Sequence, residues 1–217
     1  MTSGAVKKAL LIGILFIAYV FWQALGTLSQ YYPITNYPPK HAGPMVLFGD
    51  RFSTSSGLGF VSILEKRLTM PILNQSSVTS TAHEQVKIVS EFITRLKPSV
   101  VIFCYDEAAN NAVPDSALYL SDLRTMIGAA QKEGAITVIL GESREPDDSE
   151  YVSMIKHLGR ETRSLTVTNI LSTIADDPRY WEDGLPNNEG SLRIADLVAP
   201  TLEGLTFGNT QEPLNTP

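Results

Sequence analysis

The 217-residue chain has a single cysteine, Cys104, and three histidines, His41, His83 and His157. An intrachain disulfide is excluded. No Cys/His cluster has the spacing of a zinc site, so neither a metal nor a cofactor is expected. Positive charge is scarce too, with 17 Lys and Arg against 23 Asp and Glu and a net charge of −6. Lys7 and Lys8 are the only charged side chains before Lys40, which leaves 15 basic against 23 acidic residues beyond them, a balance of −8. Such a surface offers nucleic acid no electrostatic footprint, and none is expected as a partner. A phosphate loop is also missing. Gly57 and Gly59 stand without the further glycines and the lysine that cradle a phosphate.

What the chain does have begins with an apolar run. Ala9 to Leu25 carries no charge. At a rise of 1.5 Å per residue it reaches about 26 Å, near the short limit of a membrane span. Tyr19 and Trp22 suit an interface, and Lys7 and Lys8 place the N-terminus in the cytoplasm. The expectation is a single-pass anchor in a bacterial inner membrane, with the following domain in the periplasm. The alternative is a signal peptide cleaved at Ala24-Leu25-Gly26, against which the bulky Phe21-Trp22-Gln23 argues. Residues 1–26 are thus a cytoplasmic tip and a transmembrane helix. Residues 27–43 form a linker, where Pro33, Pro38 and Pro39 deny regular structure. Its Tyr31, Tyr32 and Tyr37 are candidates for contact with neighbouring membrane subunits.

The domain at 44–206 alternates apolar runs with amphipathic ones. Met45-Val46-Leu47-Phe48, Val100-Val101-Ile102-Phe103-Cys104 and Thr137-Val138-Ile139-Leu140 predict buried strands, with shorter ones at Met70 to Leu73 and Leu165 to Val167. Helical faces follow at Phe60/Ile63/Leu64/Leu68, Val86/Val89/Ile93/Leu96, Leu120/Leu123/Ile127/Ala130 and Tyr151/Met154/Ile155/Leu158. A last helix over Glu189 to Leu205 has Asn188 as its cap and Ile194, Leu197, Val198, Leu202 and Leu205 inward. Residues 207–217 read as a disordered tail. The pattern predicts an α/β three-layer αβα sandwich on a parallel sheet, with ligand sites at the carboxyl ends of its strands.

The order of these pieces resembles the SGNH (GDSL) hydrolases, in particular the periplasmic thioesterase, lysophospholipase and arylesterase branch. Leu47-Phe48-Gly49-Asp50-Arg51-Phe52 with Gly57-Leu58-Gly59-Phe60 is similar to the family's first block and following helix. Lys97-Pro98-Ser99-Val100-Val101-Ile102 resembles the lead-in to the third block. Asp177-Pro178-Arg179-Tyr180-Trp181-Glu182-Asp183-Gly184-Leu185-Pro186-Asn187 resembles the last. The resemblance implies a catalytic serine, a histidine held by an aspartate, and an oxyanion site built from a glycine amide and an asparagine.

None of the four is matched. Arg51 occupies the serine position, and its guanidinium is no nucleophile. The second block, Asn74-Gln75-Ser76-Ser77-Val78-Thr79, has no glycine. Tyr105-Asp106-Glu107-Ala108-Ala109 has no asparagine, and Asn110 fits only through a shifted loop. Asp183 remains, but Leu185 runs directly into Pro186 where the histidine belongs. Asp50, Arg51, Asp106, Glu107 and Asp183 are therefore read as vestigial site positions, with Arg51 expected to pair with Asp183, Asp106 or Glu107. Ser53, Ser55 and Ser56 read as turn or cap residues, the three histidines as surface groups, and Cys104 as core. The expectation is a non-catalytic, membrane-anchored structural or accessory subunit of a membrane complex, photosynthetic, respiratory, transport or envelope-polysaccharide. The alternatives are a divergent esterase or acyltransferase, and a binding module for an acyl or glycan ligand.

Overall fold

A computed structural model describes residues 32–50, 52–54, 59–77, 81–105, 116–141 and 150–205. The chain divides into two compact units, 1–33 and Ile34–Pro217. The expected membrane span Ala9 to Leu25, Tyr31 and the tail 207–217 lie outside the described residues. Among the described residues no helix is long and apolar enough to cross a membrane.

The second unit is built on a parallel sheet of β1 (Met45–Gly49), β2 (Ile72–Asn74), β3 (Val100–Tyr105), β4 (Ile136–Gly141) and β5 (Leu165–Val167), in the order β2-β1-β3-β4-β5. The connecting helices are α1 (Phe60–Leu68), α2 (Ala82–Leu96), α3 (Ser116–Lys132), α4 (Glu150–Thr162) and α5 (Asn188–Glu203). Side chains alternate across a strand, so each strand feeds two cores. Met45, Leu47, Val100, Ile102 and Cys104 pack with α1 and α5. Val46, Phe48, Val101, Phe103 and Tyr105 pack with α2, α3 and α4. Coverage on both faces explains why β1, β3 and β4 are buried along their whole length. Phe48 meets Phe92 edge-on at 5.7 Å and stacks near Phe103 at 6.3 Å, and burying one such ring is worth about 2–3 kcal/mol.

Local chemistry sets the helix starts. Thr81 and Glu84 form a reciprocal capping box on α2, with the Thr81 hydroxyl accepting from the Glu84 amide and the Glu84 carboxylate from the Thr81 amide. On α5 the cap is Asn187 rather than Asn188. Its side-chain oxygen accepts from the Gly190 amide at 3.0 Å, so Asn188 is the first helical residue. Two other expectations shift. The second strand is Ile72–Asn74, one residue or two later than the apolar run. Leu197 is 37 % exposed, because the buried stripe of α5 runs through Ile194, Val198 and Leu202, and Leu197 lies about 100° round the helix from Val198.

The stretch read as a linker is tied to the amino-terminal edge of the sheet. The Thr35 amide donates to the Arg163 carbonyl, and the Lys40 amide to the Gly134 carbonyl. The Asn36 side chain donates to the carbonyls of Gln131 and Ala135 at 2.8 and 3.0 Å. Beneath it, Gln131, Thr137, Thr162 and Ser164 form one hydrogen-bonded network.

Candidate functional site at the carboxyl edge

All five strands point their carboxyl ends to one edge, and Asp50, Ser53 and Asn74 lie along it. β1 ends at Gly49, which lies against β3. A Cβ there would overlap the Cys104 carbonyl and the Ser53 hydroxyl, so only glycine fits. The chain then turns. The Asp50 amide donates to the Cys104 carbonyl at 3.1 Å, and the Asp50 carboxylate accepts from the Phe52 amide at 3.1 Å. The Ser53 amide and hydroxyl both donate to the Asp50 carbonyl, at 3.2 and 2.9 Å. Asp50 is 8 % exposed and Ser53 2 %. This is a side-chain-assisted turn, in which aspartate at the first position holds an amide two residues on. Ser53 is thereby a turn residue, as expected from its sequence. Arg51, Ser55 and Ser56 lie outside the described residues, and so does any pairing made by Arg51.

The segment after β2 lies along β1. Its Gln75 amide donates to the Leu47 carbonyl at 2.7 Å, and its Ser77 amide to the Gly49 carbonyl at 3.0 Å. Asn74 bridges the two strands' ends, donating from its side chain to the Ser53 carbonyl at 2.6 Å and accepting from the Ser76 amide at 3.0 Å. The Ser76 hydroxyl is buried and has no hydrogen-bond partner among the described residues. From α2, Gln85 donates to the Gly49 carbonyl at 3.4 Å and accepts from the Tyr105 hydroxyl at 2.6 Å. Tyr119 and Tyr151 donate to the Tyr105 carbonyl at 3.0 and 3.2 Å. Cys104 is fully buried in β3, in accord with a packing role. Asp106, Glu107 and Asn110 lie outside the described residues.

Asp183 has a structural explanation that its sequence block does not suggest. β6 (Trp181–Glu182) and β7 (Leu185–Pro186) form an antiparallel hairpin with a two-residue connection. Asp183 and Gly184 supply it with φ of 50° and 75°. Positive φ at both central residues is the hairpin turn that Asp-Gly dipeptides favour. Pro186 pairs with Trp181, and Asn187 then caps α5, so the direct step from Leu185 to Pro186 is what closes the hairpin onto the helix. Asp183 is exposed, and its side chain makes no hydrogen bond or ion pair among the described residues. Just before it, Asp177 caps a single helical turn, Pro178–Tyr180. The forked contact from Arg179 holds its carboxyl below the ordinary range.

The histidines separate. His157 is exposed on α4. His41 lines a cleft of about 250 Å³ with Pro38, Pro39, Ala42, Gly43, Met70 and Ser99. That cleft lies at the amino ends of the strands, away from the edge where parallel sheets bind ligands. The Ser99 hydroxyl there is already engaged by the Gly43 carbonyl at 2.7 Å. His83 differs from both. Its Nδ1 lies 3.0 Å from the Asp122 Oδ2, across the gap between α2 and α3. Among the described residues no cluster of three or more His, Cys, Asp or Glu side chains is arranged to hold a metal.

No protein-family model matches the chain, and no curated protein does. Solved structures do. TesA superposes with a TM-score of 0.67 at 22 % identity, covering 75 % of this chain and 99 % of its own. The psychrotrophic esterase EstA from Pseudoalteromonas, in a form inhibited by monoethylphosphonate, gives 0.63 at 16 %, covering 75 % and 97 %. A member of the lipolytic protein G-D-S-L family from Veillonella parvula gives 0.58 at 14 %, covering 72 % and 96 %. The chain has the SGNH (GDSL) hydrolase fold, as its sequence blocks imply. These neighbours also correct one expectation. A non-catalytic accessory subunit does not fit a domain whose structural neighbours are esterases and lipolytic proteins, and the divergent-esterase alternative fits them better.

Proposed function

We propose that this SGNH-fold domain is a divergent acyl-ester hydrolase working at the carboxyl edge of its sheet. One observation carries the reading. Beside the turn at Asp50, the Ser76 hydroxyl is buried with no partner among the described residues. An unengaged hydroxyl in such a place costs stability, so it calls for a ligand that takes up the bond. The carbonyl oxygen of an ester gains negative charge as it is attacked, and a fixed hydroxyl donor stabilises that charge. Asn74 fixes the Ser76 backbone, and Ser77 and Gln85 fix the strand beside it. With arginine at 51, the reaction does not run through a serine at that position. The purified full chain, in detergent, should hydrolyse p-nitrophenyl acetate or butyrate with saturation. Absence of turnover over a panel of acyl chain lengths and acetylated sugars would sink the reading.

We further infer that Ala9 to Leu25 anchors the domain in the inner membrane, with Lys7 and Lys8 inside and the hydrolase domain in the periplasm. The charge asymmetry about the run supports this. Protease added to spheroplasts should remove the domain, and full protection would reverse the topology.

A further inference from the structure

His83 is the second residue of α2 and Asp122 the seventh of α3. Each helix starts from the carboxyl edge of the sheet, which puts His83 in the first turn of α2 at that edge and Asp122 in the second turn of α3 beside it. The Asp122 side chain is 12 % exposed, whereas that of His83 is 68 % exposed. A carboxylate accepts only, so Nδ1 must carry the proton in the neutral ring, and the lone pair falls on Nε2. No hydrogen bond engages Nε2 among the described residues. The start of α2, which carries the ring in its first turn, is fixed by the capping box of Thr81 and Glu84. Orientation by a mostly buried carboxylate, a defined tautomer and an open Nε2 are what a general base requires.

We propose that His83 is a catalytic general base, oriented by Asp122, that activates water against an ester seated at the carboxyl edge. The proposal rests on the acyl-hydrolase reading above. It also supplies what the absent serine leaves open, because water attacks directly. Nε2 takes a proton from water as the water oxygen bonds to the acyl carbon, and the carbonyl electron pair moves onto its oxygen. The tetrahedral adduct collapses, the bond to the alcohol oxygen breaks, and the proton on Nε2 passes to that oxygen. A carboxylic acid and an alcohol leave, and the imidazole is neutral again. Asp122 is a positioning residue that also stabilises the transient imidazolium.

The test uses the full chain in detergent with p-nitrophenyl acetate, comparing His83→Gln, His83→Gly, Asp122→Asn and, as a control on an exposed ring, His157→Gln. His83→Gln should lower kcat/KM about a hundredfold and Asp122→Asn about tenfold, with His157→Gln unchanged. Proton transfer to the ring should limit the rate of the wild type, and His83→Gln should remove that step. A solvent deuterium isotope effect on kcat should vanish with it. Free imidazole should restore part of the rate to His83→Gly, which a merely structural histidine would not permit. If the wild type turns over and His83→Gln matches it in rate and isotope effect, the dyad is overturned and the hydrolase reading stands. If the wild type turns over no ester, both fall. Equal loss in all four variants, with lowered melting temperatures, assigns the pair a packing role and overturns the proposal.

Discussion

The two edges of the sheet treat their polar groups differently. At the amino edge the entering segment and the strand ends satisfy one another. Asn36, Lys40 and Ser99 bond to backbone carbonyls, and Gln131, Thr137, Thr162 and Ser164 close a network in which each hydroxyl has a partner. At the carboxyl edge the backbone is held as firmly, through Asp50, Asn74 and Gln85, yet among the described residues the Ser76 hydroxyl has no partner and the His83 ring faces solvent. Rigidity with polar atoms left over is the condition of a site that meets its partner only on binding. At the amino edge, by contrast, the described hydroxyls and amides hold one another.

The sharpest way to break that contrast is at the amino edge. Gln131 donates to the Thr162 carbonyl at 2.6 Å and to the Thr137 hydroxyl at 3.1 Å. Gln131→Leu takes the donor from the part-buried Thr162 carbonyl and removes one of two partners of the buried Thr137 hydroxyl, which keeps Ser164. The expected loss is about 2–3 kcal/mol of stability, read as a lower melting temperature, with ester turnover of the folded fraction unchanged. A fall in kcat/KM of the folded protein would mean that the two edges are coupled.

At the carboxyl edge the expected signs reverse. Ser76→Ala removes a hydroxyl that has no partner, so the chain should gain about 1 kcal/mol. Ester turnover should fall by about a hundredfold if the hydroxyl meets the developing oxyanion. A variant that is less stable, or as active as the wild type, would make the two edges alike.

How much of this was legible in sequence follows from range. β1, β3 and β4 announce themselves because a strand covered on both faces must be apolar at every position, and Val100 to Cys104 is. The helices are legible through spacing, and Leu197 was misplaced because a stripe's margin has no sharp signature. The Asp183-Gly184 turn is readable, since Asp-Gly between short runs is a hairpin signal, but the resemblance to the hydrolases' last block draws it toward a vestigial-site reading. The hold on the linker was not readable. Asn36 and Lys40 bond to backbone carbonyls, which every residue carries. The His83–Asp122 pair joins positions 39 apart on two helices, and no local pattern encodes it. Ser76 looks like any loop serine until its burial is known.

The smallest effect lies between the edges, and it calibrates the proposed dyad. Two residues after Asp122 on the same helix, Arg124 makes a bidentate contact with Glu161 of α4, 2.9 Å at each branch. Asp122 ties α3 to α2, while Arg124 ties it to α4, so the two contacts differ in neighbour and in exposure. Both members of the second pair are about two-fifths exposed. Hydrogen bonding to Arg124 holds the Glu161 carboxyl below its ordinary range. A depressed folded-state value means that the contribution is complete above the unfolded carboxyl's pKa and is lost as pH falls through the lowered value. Stability from this pair should therefore be flat across neutral pH and disappear only in acid. Solvent screening limits it to about 0.5 kcal/mol, and molar salt should reduce it further. A double-mutant cycle of Arg124→Gln and Glu161→Gln, read by melting at neutral pH and again in acid, measures the coupling. Ester turnover should not respond to either change. If Arg124→Gln lowered kcat/KM as far as Asp122→Asn does, the loss in the latter would reflect only the seating of α3, and Asp122 would have no separate claim on the His83 ring.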